Sequence, residues 1–216
     1  MSKLGLLSRA QATDAILAGR VRVAGRVVRR PSMLVTPEFE RIEVDGRPAR
    51  QVAWRTILFH KPRGVMTTRS DPDGRPTIYD VLGEGGAGLV AVGRLDFATS
   101  GLLLLTSDTQ LANWLADPAN EIPRLYVVTV RGRMTPESVA NLSGRVMFRK
   151  ASSRESHLLI ELSEGKNRQV RRMFAAAGHE VTALKRVRFG GLELGSLAPG
   201  AHREILRKDI ANAFPG

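Results

Sequence analysis

Strand-like and helix-like segments follow one another in this chain without a βαβ period, and that irregular order is its tightest constraint on fold. Apolar or alternating runs suited to strands are TILFH (56–60), LVAVGRLD (89–96), GLLLLTSD (101–108), LYVVTVRG (125–132) and HLLIELSEG (157–165). VRFGGLELGSL (187–197) reads as short strands and turns. Helical patterns fall irregularly between them, in SRAQATDAILAGRV (8–21), DTQLANWLAD (108–117) and NRQVRRMFAAAGH (167–179). A parallel sheet needs a crossover of about a dozen residues, usually a helix, between successive strands. This chain lacks that rhythm. The expected class is α+β, with a largely antiparallel, bent sheet flanked by helices.

Local signals place the element ends. Ser8 suits an N-cap, Ala12, Ala15 and Ile16 form an apolar stripe, and Gly19 suits a helix stop. VRVAGRVV then reads as a hairpin turning at Ala24-Gly25, with Val23 and Val27 alternating. Asp108 suits the cap of the next helix, and Thr135-Pro136-Glu137 another helix start. Gly178 ends a later helix. These signals divide the chain into a small α/β module over residues 1–48, a linker over 49–55 and a larger domain over 56–216.

Charge narrows the function. The chain has 33 Lys+Arg against 21 Asp+Glu, a net charge of +12. Self-repulsion on that scale opposes compaction, and its usual purpose is a polyanionic partner such as nucleic acid. Within residues 1–30 stand Lys3, Arg9, Arg20, Arg22, Arg26, Arg29 and Arg30 beside one acid, Asp14. Helix and hairpin would present these as a phosphate-binding face. There is no cysteine, which excludes disulfides and Cys-ligated zinc. No apolar run approaches the ~20 residues that span a bilayer. The start, MSKLGLLSRAQATDAIL, lacks the apolar core and cleavage site of a leader. A soluble, cytoplasmic protein with no membrane association is expected.

Two motifs mislead. GEGGAG (83–88) satisfies G-x-G-x-x-G, but the segment after it is strand-like, so no helix N-terminus would meet a phosphate. His60, His157, His179 and His202 are widely spaced and make a poor metal site, so no metal or cofactor is expected.

Two stretches carry chemistry. In VGRLDFATSGLLLLTSD (92–108) a charged pair, Arg94 and Asp96, sits between strongly apolar strands. A carboxylate against apolar walls needs a partner and marks places where carboxylates are tuned. An Asp capping a turn completed by Thr99-Ser100-Gly101 would explain the same residues. EGKNRQVRRMF (164–174) carries Lys166, Arg168, Arg171 and Arg172, and Lys185, Arg186 and Arg188 follow, with Glu180 the one acid between 166 and 188. Helical spacing puts Arg168, Arg171 and Arg172 on one side, with Val170, Met173, Phe174 and Ala177 toward the core. A one-signed run without acidic i,i+4 partners fits a phosphate track better than a solvated face.

GRLDFATSGLLLLTSD resembles the catalytic motif of pseudouridine synthases of the RsuA type, which act on ribosomal RNA. KPRG (61–64), RLYVV (124–128) and EGKNRQVRRMF resemble three further motifs of that family, in the same order. Residues 2–48 resemble the small RNA-binding domain first described in ribosomal protein S-four, shortened at its N-terminus. The resemblance implies that Asp96 is the essential aspartate and that Tyr126 stacks on a flipped uracil. It implies that Arg171 pairs with the aspartate and that Arg94 occupies the gap left by the flipped nucleotide. An apolar wall could come from Leu102 to Leu105. Lys61 and Lys166 match motif positions that imply RNA contact or architecture. Arg63, Arg168, Arg172, Lys185 and Arg186 are candidate RNA contacts, as are Arg9, Arg20 and Arg22 in the module. Attack of Asp96 on the sugar, attack on the base and abstraction of a sugar proton all remain open.

Basicity alone also fits a non-catalytic RNA-binding or ribosome-assembly protein. Only the enzyme requires Asp96, Tyr126 and Arg171 together. The expected protein is therefore a monomeric synthase without cofactor, whose partner is ribosomal RNA or a ribosome assembly intermediate, with the subunit and the uridine left open.

Overall fold

The structure, a computed structural model, describes residues 7, 9–36, 40–49, 53–140 and 142–215. The first described element is helix α1 (Arg9–Leu17), and Ala12, Ala15 and Ile16 turn inward from it. Ser8, the expected cap, lies outside the described residues. Strands β1 (Val21–Val23) and β2 (Arg26–Val28) form the expected hairpin. Its turn puts Ala24 and Gly25 at positive φ, 48° and 78°, as a tight two-residue hairpin demands. Val21, Val23 and Val28 are buried, whereas Val27 is exposed because it faces away from that small core. Strands β3 (Ile42–Val44) and β4 (Arg47–Pro48) complete a four-stranded sheet in the order β2-β1-β3-β4.

The larger sheet starts at β5 (Thr56–Lys61), although Trp54 and Arg55 already pack against it. Helix α2 (Ile78–Leu82) opens with a capping box between Thr77 and Asp80. The glycine stretch forms a 3-10 turn over Gly83–Gly86 and leads to the short strand β6 (Val90–Ala91), with no helix after it. Then follow β7 (Ser100–Thr106) and α3 (Thr109–Ala116), whose first turn donates to the side chain of Asp108. Next are β8 (Arg124–Arg131), α4 (Pro136–Ala140), β9 (Arg145–Ala151), β10 (Glu155–Leu162) and α5 (Gln169–Ala176). The chain finishes with β11 (Val181–Phe189), β12 (Leu192–Glu193), β13 (His202–Glu204) and α6 (Arg207–Ala213).

This sheet runs β13-β5-β7-β11-β8-β10-β9, with β6 beside β7 and β12 beside β11. Every pairing is antiparallel except β7 with β11. That parallel junction sets Ser100 opposite Lys185 and Gly101 opposite Arg186. The α+β, largely antiparallel expectation holds. Both faces of β7 are covered. Leu102 and Leu104 enter one core with α3 and α6, and Leu103 and Leu105 enter another with α2. A third core joins β8, β10 and β11 to α4 and α5.

Helix α5 starts later than its pattern predicts. Arg168 is its N-cap, in left-handed geometry (φ 50°), so Lys166 and Arg168 belong to the turn before it. Val170 and Phe174 are buried and Met173 packs on the same core, but Ala177 is exposed, just past the helix end.

Candidate active site

Asp96 sits on the loop between β6 and β7, and successive backbone carbonyls of that loop are each held from elsewhere. Thr67 Oγ1 donates to Leu95 O (2.8 Å), and the Gly64 amide donates to Phe97 O (2.8 Å). Arg171 Nη2 donates to Ala98 O (3.1 Å). Lys61 Nζ donates to Asp96 O (3.1 Å) and Thr99 O (2.9 Å), and also to Pro62 O (3.1 Å). The Thr99 amide closes the turn onto Asp96 O at 2.9 Å. The loop is therefore fixed before any ligand arrives, which is what a precisely aimed side chain needs.

The Asp96 carboxylate opens into a cavity of about 310 Å³, with a third of its side chain exposed. Tyr126, on β8, lines the same cavity, as do Arg94, Lys166, Arg168 and Gln169. Its apolar wall is Val92, Leu95, Leu115, Leu162, Leu184 and Phe189. The Leu102–Leu105 run does not supply that wall, because both of its faces are taken by the cores beside β7.

The cations fall into different places from those expected. Arg168, not Arg171, comes within ion-pair range of the carboxylate, with Nη1 3.9 Å from Asp96 Oδ2. Arg171 is committed to two carbonyls, Ala98 O and Val181 O (2.8 Å), and so acts on the loop that carries Asp96. Burial lowers its proton affinity, Arg168 and Arg63 lower it further, and the Asp96 charge opposes them. Lys61 is fully buried, which fits architecture, the second of its two expected roles, and not RNA contact. Arg186 is likewise 3% exposed and lines the cavity from within. Lys185, its neighbour on β11, alternates to the opposite face of the sheet, away from the cavity.

Where their side chains are described, the remaining candidates are surface groups. Arg63, Arg94, Lys166, Arg168 and Arg172 are exposed. Arg63 Nη1 reaches Thr182 O (3.3 Å), and Lys166 pairs with Glu164 (2.6 Å). In the N-terminal module Arg22 projects outward from β1, and Arg9 opens α1. Arg20 is exposed but bound in a two-point pair with Asp45, with Nε 2.7 Å from Oδ1, which subtracts it from any free cationic face.

Three features of the site went unread in the sequence. Phe97 follows Asp96 and is exposed, an aromatic whose apolar area would ordinarily be hidden. Thr67 and Gly64 hold the loop through single bonds to its backbone. A signal for Gly64 existed in the KPRG turn, where the structure shows φ 78°. Thr67 carried none.

Comparison with known proteins agrees with this geometry. The family model described as RNA pseudouridylate synthase matches residues 55–176, and the S4 domain model matches residues 1–38. An "Uncharacterized RNA pseudouridine synthase" of Aquifex aeolicus (strain VF5) is 34% identical, over 99% of this chain and 91% of its own length. A protein of Bacillus subtilis (strain 168) named "Ribosomal large subunit pseudouridine synthase B" is 35% identical, over 95% of this chain and 90% of its own. A solved structure titled "Crystal structure of pseudouridylate synthase" superposes with a TM-score of 0.66 at 29% identity, covering 97% of this chain and 94% of that one. Among the described residues, no helix is long and apolar enough to cross a membrane. Fold, loop and matched motifs converge, and the chain belongs to the RNA pseudouridylate synthase family, whose members are isomerases.

Proposed function

We propose that this protein converts one or a few uridines of large-subunit ribosomal RNA to pseudouridine, with Asp96 as the catalytic carboxylate. The observation that carries the reading is the meeting of Asp96 and Tyr126 in one cavity, with Asp96 on a loop clamped at successive carbonyls. The names of the Bacillus subtilis relative and others like it support the choice of subunit.

A stacked uridine cannot reach a carboxylate at the bottom of a cavity, so it must be flipped out at a cost of a few kcal/mol. Stacking on the Tyr126 ring returns roughly 1–3 kcal/mol of that. Arg94, which lines the cavity, and the exposed Phe97 next to Asp96 fill or stack on the gap left behind. Arg168, 3.9 Å from the carboxylate, sets a positive charge beside it. The bond from ribose C1′ to uracil N1 breaks, the base turns, and C1′ rejoins at C5. The C5 hydrogen leaves as a proton and N1 gains one, so nothing is imported.

In this reading residues 1–48 form an RNA-binding module, 49–55 a linker and 56–216 the catalytic domain. Arg9 and Arg22, together with Arg63 and Arg172 of the larger domain, contact phosphates. The protein works as a cytoplasmic monomer on ribosomal RNA or an assembly intermediate. Tritium release from uracil C5 of ribosomal RNA tests the assignment. Wild-type protein is expected to release tritium, and Asp96→Asn to release none while still binding RNA. Equal release from both would refute it.

A further inference from the structure

The cavity holds two guanidinium groups that the mechanism above leaves unused. Arg124 and Arg186 are 4% and 3% exposed, and each lies over the Phe189 ring, 5.0 Å from its centroid. Both line the cavity that contains Asp96 and Tyr126. The acids along that cavity are engaged elsewhere: Asp96 faces Arg168, and Glu164 pairs with Lys166.

The two arginines differ in how they are held. Arg124 is a strut, donating from Nη1 to Ile122 O (2.8 Å) and Ser163 O (2.7 Å) and from Nη2 to Leu115 O (3.4 Å). Arg186 donates from Nε to Leu102 O (2.7 Å), but its Nη2 is buried without a partner. A buried cation without a counter-ion is costly to a fold and needs an explanation. Its position offers one. Arg186 stands opposite Tyr126 on β8 and opposite Gly101 on β7. Directly opposed residues share a face of the sheet, so Arg186 and Tyr126 leave neighbouring strands on one face, and both line the cavity that holds Asp96.

We propose that Arg186 contacts the flipped uracil and stabilises the negative charge it carries while detached from ribose. This rests on the assignment of the cavity to uridine isomerisation. When the C1′–N1 bond breaks, its electron pair stays with the base and spreads from N1 onto O2 and O4. Those oxygens only accept hydrogen bonds, and a guanidinium only donates them. When C5 bonds to C1′, loses its proton and N1 is protonated, the charge is gone. The interaction is therefore stronger in the charge-separated state than in either end state, which is the condition for accelerating a reaction. Placed in a dry site, such a donor acts at low dielectric without reorganisation.

The test compares wild type, Arg186→Gln and Arg186→Lys in single-turnover tritium release from a large-subunit ribosomal RNA transcript tritiated at uracil C5. Kd for the same RNA and the thermal midpoint are measured alongside. Arg186→Gln is expected to slow release on the order of 100-fold or more, with Kd little changed. A second transcript carries 5-fluorouridine, whose fluorine stabilises the base anion, and its consumption is read by nucleoside analysis. There the defect should shrink. Should the Gln variant fail to fold, the Lys variant carries the same comparison. A weakened Kd with an unchanged single-turnover rate would assign Arg186 to RNA phosphate and overturn the proposal, as would an equal defect on both transcripts. An inactive wild type would fail the functional reading itself and this inference with it, so the two failures are told apart.

Discussion

The ammonium of Lys61 donates to the backbone carbonyl of Asp96 at 3.1 Å, so a buried cation holds this carboxylate by its main chain and not by its side chain. The same group reaches Thr99 O and Pro62 O. One side chain thus pins both ends of the turn that presents Asp96.

Replacing Lys61 by Met keeps most of the volume and removes every donor. Each carbonyl left buried and unpaired costs about 1–3 kcal/mol, so denaturant melts should show a clear loss, and kcat should fall with KM kept. The pH dependence gives a second reading. Burial lowers the Lys61 ammonium from 10.5 to about 8, opposed by the Asp96 charge. A neutral amine has two N–H donors for three carbonyls. The wild-type kcat should therefore drop along a single-proton limb near pH 8 that the Met variant lacks. Stability moves the other way. Between about 8 and 10.5 the unfolded chain binds more protons at this group than the native one, so its contribution grows as pH rises through that window and is lost as pH falls through about 8. An activity limb that simply follows loss of fold would contradict the assignment.

Arg171 joins Ala98 O to Val181 O, and so ties the Asp96 loop to the start of β11. Arg171→Ala should lower kcat far more than it weakens RNA binding. Arg171→Lys should rescue little, because one ammonium cannot reproduce a planar fork spanning two acceptors. Kinetic and binding measurements on both variants decide the matter. Full rescue by lysine would show that charge near Asp96 matters and the two-carbonyl bridge does not.

Gly101 occupies the parallel junction between β7 and β11 with φ 112°. A Cβ there would stand 2.2 Å from Arg186 O and 2.6 Å from Arg186 N, which is backbone and cannot swing aside. Gly101→Ala combines a strained φ with a collision, and should cost on the order of 3 kcal/mol or more. It should also reduce activity by displacing Arg186 and Tyr126 from Asp96. Chemical denaturation and tritium release check both effects, and a stable, fully active variant would show that the junction can open without consequence.

Elements whose ends are set by local chemistry were legible in the sequence. Asp108 caps α3, Ala24-Gly25 turns the first hairpin, and Gly178 (φ 80°) follows α5. Strand β9 was not legible, because it is an almost wholly exposed edge strand without the alternation that betrays a strand. Asp96 and Tyr126 could be placed through their motifs, and they do share a cavity. The sequence leaves Lys61 between RNA contact and architecture and suggests a surface cation at Arg186, because Lys and Arg are seldom fully buried unless paired. Their burial depends on acceptors from other strands and loops, such as Asp96 O and Leu102 O, that no local pattern announces. The partner of Asp96 was misplaced for a related reason. The left-handed cap at Arg168 turns that side chain toward the carboxylate, and a uniform helix through 166–174 would not have shown it.

The clamped loop has a consequence for how RNA affinity is used. Ordering a mobile loop during association subtracts from the affinity gained. Here the main-chain turn that carries Asp96 is ordered when the polypeptide folds, with Thr67, Gly64, Lys61 and Arg171 as its permanent scaffold. Attraction between the basic surface and the nucleic acid is then free to drive the costly step on the other partner, the extraction of a nucleotide from its stack.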